Sequence, residues 1–398
     1  MAATRTPTEQ TASEALARCV EPIGAAEFLA EYWEQRPLAV PRAEEGRFDD
    51  LLSVADVERL VSSGGLRTPG LRLVKEGGTI AESSYATDIS WRPKPFLGMA
   101  DPDRVATAFA EGATIVLQAL HHTWPPLARF CRALEQELGS GAQANSYYTP
   151  RRSQGFAVHH DTHDVFVLQV AGEKHWRVYE PLLELPLKAQ RWTSSLGTPG
   201  PAVLELTLRA GDTLYLPRGW LHDALTSETD SLHITVGVNV HTWVDAFRAA
   251  LTDCEQDVEF RRSVPDDGEA VVDLVERLAE RMGPEAVRRR SRQAFVESRR
   301  PILDGHLEEV RLLDSVTVDT LLERRPTVIA DLDGTALSFE GKHVDFPDSA
   351  RDQLAAIVEA HAPFTPADLP DGLDDEGRLV LVRRLIREGF LRRSVEGA

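Results

Sequence analysis

The residues best able to do chemistry are His159 and Asp161, a histidine and a carboxylate two positions apart in the run 155–164, Gly-Phe-Ala-Val-His-His-Asp-Thr-His-Asp. On an extended strand, positions i and i+2 face the same way, so both side chains are expected to reach one point. One imidazole and one carboxylate leave a metal site a ligand short. The stretch 211–222, Gly-Asp-Thr-Leu-Tyr-Leu-Pro-Arg-Gly-Trp-Leu-His, offers His222 just past a strand and a Pro-Arg-Gly turn. Two histidines and one carboxylate on one side of a metal, with other positions open, suit non-haem Fe(II). His159 and His222 are expected to come from opposite sheets and to span much of the fold.

An Fe(II) oxygenase that uses 2-oxoglutarate chelates its keto acid at the metal, so the far carboxylate needs a cation some distance away. Lys174 fits that role. It is expected to open a strand after a tight Ala-Gly-Glu turn at 171–173, which folds the strand 164–170 back on itself. Tyr147, on a neighbouring strand, adds a hydroxyl for the same carboxylate; a lysine gives a point charge and a tyrosine gives direction. A His-x-Asp alone arises often by chance, and a lone lysine is by default a surface group. The combination with the Gly-Asp…Pro-Arg-Gly…His turn gives the pair its meaning. His160, His163 and His175 read as bystanders, and His121, His122 and His233 as packing or surface groups.

These residues need a scaffold of short strands. From about 145 to 241 the candidates are 144–149, 155–161, 164–170, 174–180, 202–207, 212–216 and 232–240, separated by Gly and Pro turns, which points to a barrel or sandwich. The segment 231–241 alternates, with Ile234, Val236, Val238 and Val240 on one face. Its other face, His233, Thr235, Gly237, Asn239 and His241, is polar enough to line a site. Upstream, helical spacing marks 25–35, 49–64 and 125–139, with strands at 70–75 and 113–118. Past 244 the pattern is helical again, through 271–282 and 285–299, and Arg288, Arg289, Arg290 and Arg292 read as a solvated face. A helix at 374–388 leads into a terminal strand, and residues 1–12 read as a disordered tail.

The chain has 398 residues and a formal net charge of −19. An acidic surface repels phosphate backbones, so a basic protein or peptide is a better partner than nucleic acid. Cys19, Cys131 and Cys254 are far apart, which argues against a disulfide framework and for a cytoplasmic setting. The N-terminal stretch lacks the apolar segment of a signal peptide. No apolar run approaches the ~20 residues that span a bilayer.

Taken together, Tyr147-Tyr-Thr-Pro, Ser153-Gln-Gly, His159-x-Asp161, Phe166-Val-Leu-Gln, Gly172-x-Lys174-His-Trp-Arg, Gly211-Asp and Tyr215-Leu-Pro-Arg-Gly…His222 resemble the JmjC-type ribosomal oxygenases. So do the opening Phe28-Leu-Ala-Glu-Tyr-Trp-Glu-Gln-Arg-Pro-Leu and Phe260-Arg-Arg-Ser-Val-Pro; the likeness covers about residues 20–395. The resemblance implies an α+β protein. Its parts would be a double-stranded β-helix (cupin or jelly-roll) JmjC barrel with flanking helices over 13–244, a helical dimerisation region over 245–312, and a winged-helix-like domain over 313–398. It implies a homodimeric, Fe(II)-, 2-oxoglutarate- and O2-dependent hydroxylase of a histidine or arginine β-carbon in a protein, by family default a ribosomal one. His159, Asp161 and His222 would hold the iron, Lys174 and Tyr147 the 2-oxoglutarate, and Asn145 the substrate residue. Lys174 is more like the histidyl enzymes, whereas the face around Gly237 lacks a hydroxyl that some relatives carry.

Three other readings are weaker. A non-ribosomal peptide or a peptide natural-product precursor would serve the same chemistry. A regulator with a ligand-sensing barrel, its winged-helix-like end binding protein or nucleic acid, would need no catalysis. Asp331-Leu-Asp333-Gly-Thr matches the opening of haloacid-dehalogenase-type phosphatases, but too few residues follow it for their parallel sheet, and Asp-Gly is ordinary hairpin chemistry.

Overall fold

A computed structural model describes residues 14–394 except 43, 64, 91–93, 155, 227 and 265–270; the tail expected at 1–12 lies outside the described residues. The chain divides into two compact units, residues 1–240 and 241–398.

The first unit is built on a ten-stranded sheet system whose spine is the strand Asp164–Tyr179. Its first half pairs with Ser231–Asn239 on one side and Thr213–Leu216 on the other. Its second half pairs with Leu204–Arg209 and Leu221–Leu225. Gly141–Thr149 lies beyond Ser231–Asn239, followed by Thr114–Leu117 and Leu71–Lys75. Every pairing is antiparallel, and the long strand passes from one sheet into the other.

This corrects the turn expected at 171–173. The chain does not reverse there; it bends and continues. Gly172 sits at φ +62°, and a Cβ on it would run into the carbonyl oxygen of Asp230. The facing strand shifts register between Leu232 and His233. A glycine with positive φ opposite a register shift is the chemistry of a bulge, which bends a strand without ending it. Lys174 therefore rides on the second half of the same strand.

Phe28 on the helix Ala25–Glu31 explains why the opening motif accompanies the barrel motifs. Its ring meets Tyr215 edge-on at 4.8 Å and Phe166 at 5.6 Å; burying each such ring contributes roughly 1.5–3 kcal/mol. Tyr215 in turn donates its hydroxyl to Asp164 at 2.9 Å, and the amide of Glu34 donates to that hydroxyl at 2.9 Å. Arg218 closes the cluster, ion-paired with Asp164 at 3.0 Å and with Glu34. The arginine of the Pro-Arg-Gly turn is thus a buried brace between that turn and the start of the long strand.

In the second unit, Trp243–Cys254, Val271–Arg281 and Pro284–Glu297 are helices. One core joins Leu313, Leu337, Phe339, Leu354, Leu385 and Phe390. Ala330–Asp333, Ala336–Phe339 and Lys342–Asp345 form an antiparallel three-stranded sheet. Asp333-Gly334 is its first hairpin, with Gly334 at φ +63°, so the phosphatase-like motif is turn chemistry.

Candidate metal centre

His159, Asp161 and His222 each offer a ligand atom, and these atoms all lie within 4.8 Å of one another. The means of bringing them together differs from the strand expected at 155–161. Over the described residues 156–161 there is no strand, only one isolated bridge, His159 opposite His222. The amide of His159 donates to the carbonyl of His222 at 3.1 Å, and the amide of His222 donates back at 2.9 Å. The strand Leu221–Leu225, which carries His222, leaves no mark in the sequence because its Leu-His-Asp-Ala-Leu run follows a turn without alternation. The two histidines are direct neighbours, not residues facing one another across the barrel. Asp161 is fixed through its carbonyl, which accepts from the Gly219 amide at 3.0 Å.

The imidazoles are set for a metal. Nδ1 of His159 lies 2.8 Å from the carbonyl of Ala157, and Nδ1 of His222 lies 3.1 Å from that of Trp220. A carbonyl only accepts, so each Nδ1 carries a hydrogen, which in the neutral ring leaves Nε2 with the lone pair that a metal takes. Nε2 of His222 stands 3.7 Å from the Asp161 carboxylate, too far for a hydrogen bond. Burial, then the proximity of His159, lowers the His222 pKa to about 4. Burial opposes ionisation of Asp161, but the surrounding histidines, His163 foremost, outweigh it and lower its pKa. A neutral His222 imidazole and an ionised Asp161 carboxylate suit a divalent metal.

Beside these residues is a cavity of about 240 Å³. Successive inward-facing residues of Gly141–Thr149 and Ser231–Asn239 give it tiers, because cross-strand partners share a face. Lys174, from the second half of the spine strand, stands at the base, where Nζ donates to Thr149 at 3.0 Å; Thr149 also accepts from the Thr114 hydroxyl at 3.1 Å. Next come Tyr147 and His233, paired in register, with rings stacked at 4.9 Å. Asn145 and Thr235, then Gln143 and Gly237, continue the same face in register, and of these Thr235 lines the cavity.

Lys174 is buried, and among the described residues no carboxylate pairs with it. Burial alone brings its pKa down to about 7. A lysine is almost never fully buried unless paired, so the base of the cavity is built for an anion. Burial raises the Tyr147 phenol to about 12, with the Asp161 charge adding to it; the hydroxyl is a donor at neutral pH. Asn145 is largely committed, accepting from the Ala119 amide at 2.9 Å and hydrogen-bonding Tyr147.

The bystanders divide. His160 turns away, Nε2 lying 3.2 Å from the Gln190 carbonyl, and His175 contacts Thr207. His121 accepts from the Ala144 amide at 3.1 Å. His163 packs on Gly237, where a Cβ would collide with its ring, and its Nε2 is 3.3 Å from Gln143. His233 corrects the sequence reading: it lines the cavity, buried between Tyr147 and Trp176, and burial and Lys174 keep it neutral. The alternation of 231–241 carries that signal, because His233 falls on its polar face.

Residues 118–246 match the JmjC domain family. The chain is 32% identical over 323 residues to the ribosomal oxygenase 1 of Gallus gallus, covering 79% of this chain and 50% of that protein. It is 34% identical over 224 residues to the bifunctional lysine-specific demethylase and histidyl-hydroxylase NO66 of Drosophila persimilis, covering 56% and 31%. The chain thus spans half or less of the length of these two relatives. The crystal structure of the Escherichia coli ribosomal oxygenase YcfD superposes with a TM-score of 0.57 at 20% identity, covering 94% of this chain and 98% of that one. A second YcfD structure, in complex with cobalt and 2-oxoglutarate, gives the same TM-score at 93% and 98% coverage. The overall fold is shared.

Proposed function

The chain is a relative of the JmjC-type ribosomal oxygenases, and on that premise we propose that it is an Fe(II)- and 2-oxoglutarate-dependent oxygenase that hydroxylates a side chain of a protein. A histidine or arginine β-carbon of a ribosomal protein is the first candidate. The observation that carries the reading is the juxtaposition of a His-His-Asp cluster, each Nδ1 turned to a main-chain carbonyl, with a buried lysine that has no carboxylate partner among the described residues.

In this reading His159, Asp161 and His222 hold the iron. Bound iron supplies the redox chemistry by which 2-oxoglutarate, O2 and a C–H bond become succinate, CO2 and C–OH. Lys174 neutralises the far carboxylate of the co-substrate, and the Tyr147 hydroxyl donates to it. Thr149 accepts a hydrogen bond from the lysine ammonium, while Trp176 and His233 exclude water from the anchor. Asn145 orients Tyr147 and borders the space where a substrate side chain would sit.

The exposed stripe Trp243, Phe247 and Leu251 on the helix Trp243–Cys254 supports a pairing surface between two copies, since large apolar side chains at i, i+4 and i+8 form one face. Residues 313–398 are read as winged-helix-like. Among the described residues no helix is long and apolar enough to cross a membrane.

The test is iron-dependent succinate formation from 2-oxoglutarate by the purified protein, with and without acid-extracted ribosomal proteins. A protein that binds neither Fe(II) nor 2-oxoglutarate sinks the proposal.

A further inference from the structure

The cavity has a second cation that the proposed reaction leaves unused. Arg72, on the strand Leu71–Lys75, lines it. The strand register puts Arg72 opposite Val116, Val116 opposite Tyr147 and Tyr147 opposite His233, so Arg72 stands in the Tyr147 tier, above the tier of Thr149 that receives Lys174. Its guanidinium carbon is 5.5 Å from the centre of the Phe156 ring, which itself lies 5.8 Å from the ring of His159. Nε of Arg72 is buried with no hydrogen-bond partner, and among the described residues no carboxylate pairs with the guanidinium. The neighbouring arginines differ: Arg177 is paired with Asp223, and Arg218 with Asp164 and Glu34.

A charge count shows what is missing. Among the described residues the carboxylates lining the cavity are Asp161 and Asp223, and Arg177 already occupies Asp223. A divalent metal and a dianionic co-substrate cancel, and Asp161 offsets Lys174. Arg72 is left over. Stacking on Phe156 offsets part of the cost of leaving bulk water, but it satisfies none of the five N–H donors of a guanidinium. Unlike Lys174, Arg72 is only half-buried, so a group arriving from outside can reach it after the co-substrate is seated.

We infer that Arg72 is a substrate-positioning residue whose guanidinium donates to an oxygen of the bound polypeptide, either a main-chain carbonyl or an acidic side chain near the residue presented to the metal site. The inference rests on reading the site as a protein oxygenase. It assigns to the wall beside Phe156 the job of holding the chain while Lys174 holds the co-substrate. A planar donor fork suits a carbonyl or carboxylate better than a point charge would.

The test uses the full chain and a degenerate peptide library with a fixed central histidine or arginine as the probe. Binding of 2-oxoglutarate and retention of the library are measured on the Co(II)-loaded protein, and gain of one oxygen is measured with Fe(II). Arg72→Met is expected to keep 2-oxoglutarate affinity within about twofold and to lose library retention and hydroxylation by about tenfold or more, the worth of one charge-assisted hydrogen bond. Arg72→Lys is expected to recover part of that loss. An Asp or Glu preferred at one fixed offset by the wild type and not by Arg72→Met identifies an acidic side chain as the acceptor. The same loss with no acidic preference identifies a main-chain carbonyl. Arg72→Met handling the library as the wild type does overturns the inference. So does a loss of 2-oxoglutarate affinity as large as that of Lys174→Met, which would put Arg72 in the co-substrate anchor. A wild-type protein that binds no 2-oxoglutarate overturns the reading of the site itself, a separate result.

Discussion

His159 and His222 are joined by two main-chain hydrogen bonds, at 3.1 and 2.9 Å, and their rings stand 4.5 Å apart. The backbone pairing fixes the separation of the two candidate ligands before any metal arrives. What remains adjustable is the third ligand, which depends on the turn around Gly219.

Gly219 sits at φ +90°, and a Cβ there would lie 2.5 Å from the Leu183 carbonyl oxygen and 2.8 Å from Pro186. Its amide holds Asp161. Gly219→Ala should weaken Co(II) binding by ~10–100-fold, the range for lost support of a ligand, although no ligand is changed. Metal titration by absorbance reads it; an unaltered affinity would show that Asp161 is held by other means.

Lys174, with its pKa near 7 in the ligand-free protein, makes co-substrate binding depend on pH. A carboxylate binds the charged form, so below about pH 7 affinity should be level. Above it, binding must take up a proton, and affinity should fall by up to about tenfold per pH unit. Calorimetry in buffers of different ionisation heat would detect that uptake. No proton uptake at pH 8.5 would refute the anchor's state.

The same lysine has a stability consequence. Its unfolded value is 10.5 and its folded value about 7, so between those pH values the unfolded chain holds more protons and ligand-free stability should rise with pH. Lys174→Met should raise the Tm of the ligand-free protein at pH 6 and flatten that rise, while abolishing 2-oxoglutarate binding. A lower Tm with an unchanged pH slope would contradict this.

His163 and Gly237 should behave as one unit, since a side chain at 237 collides with the imidazole. Gly237→Ser is expected to cost ~1–3 kcal/mol by overpacking, and His163→Ala to relieve most of that cost in the double variant. A double-mutant cycle in urea measures the coupling, expected within ~0.5–3 kcal/mol. Additive effects would separate the two positions.

Arg218 braces the turn that delivers His222. Arg218→Met leaves Asp164 buried and unpaired, so it should cost about 3–5 kcal/mol, read as a lower urea midpoint with altered metal affinity. A midpoint near that of the wild type would dismiss the brace.

The sequence by itself determined which residues could meet at the metal site, because His-x-Asp, the lysine and the turn histidine are rare in combination and their chemistry depends on side-chain type. It also determined the polar face of 231–241, because alternation is a local property of a strand. Tertiary structure decided how they meet. Whether Ala171-Gly172-Glu173 reverses the chain or only bends it depends on Asp230 and the register of a strand distant in sequence, Ser231–Asn239. Whether His159 lies beside His222 or opposite it depends on a single bridge between two irregular segments, which leaves no periodic trace. That no carboxylate among the described residues pairs with Lys174 or Arg72 is likewise a property of the space around them. A sequence names a cation, but only packing shows that no carboxylate reaches it.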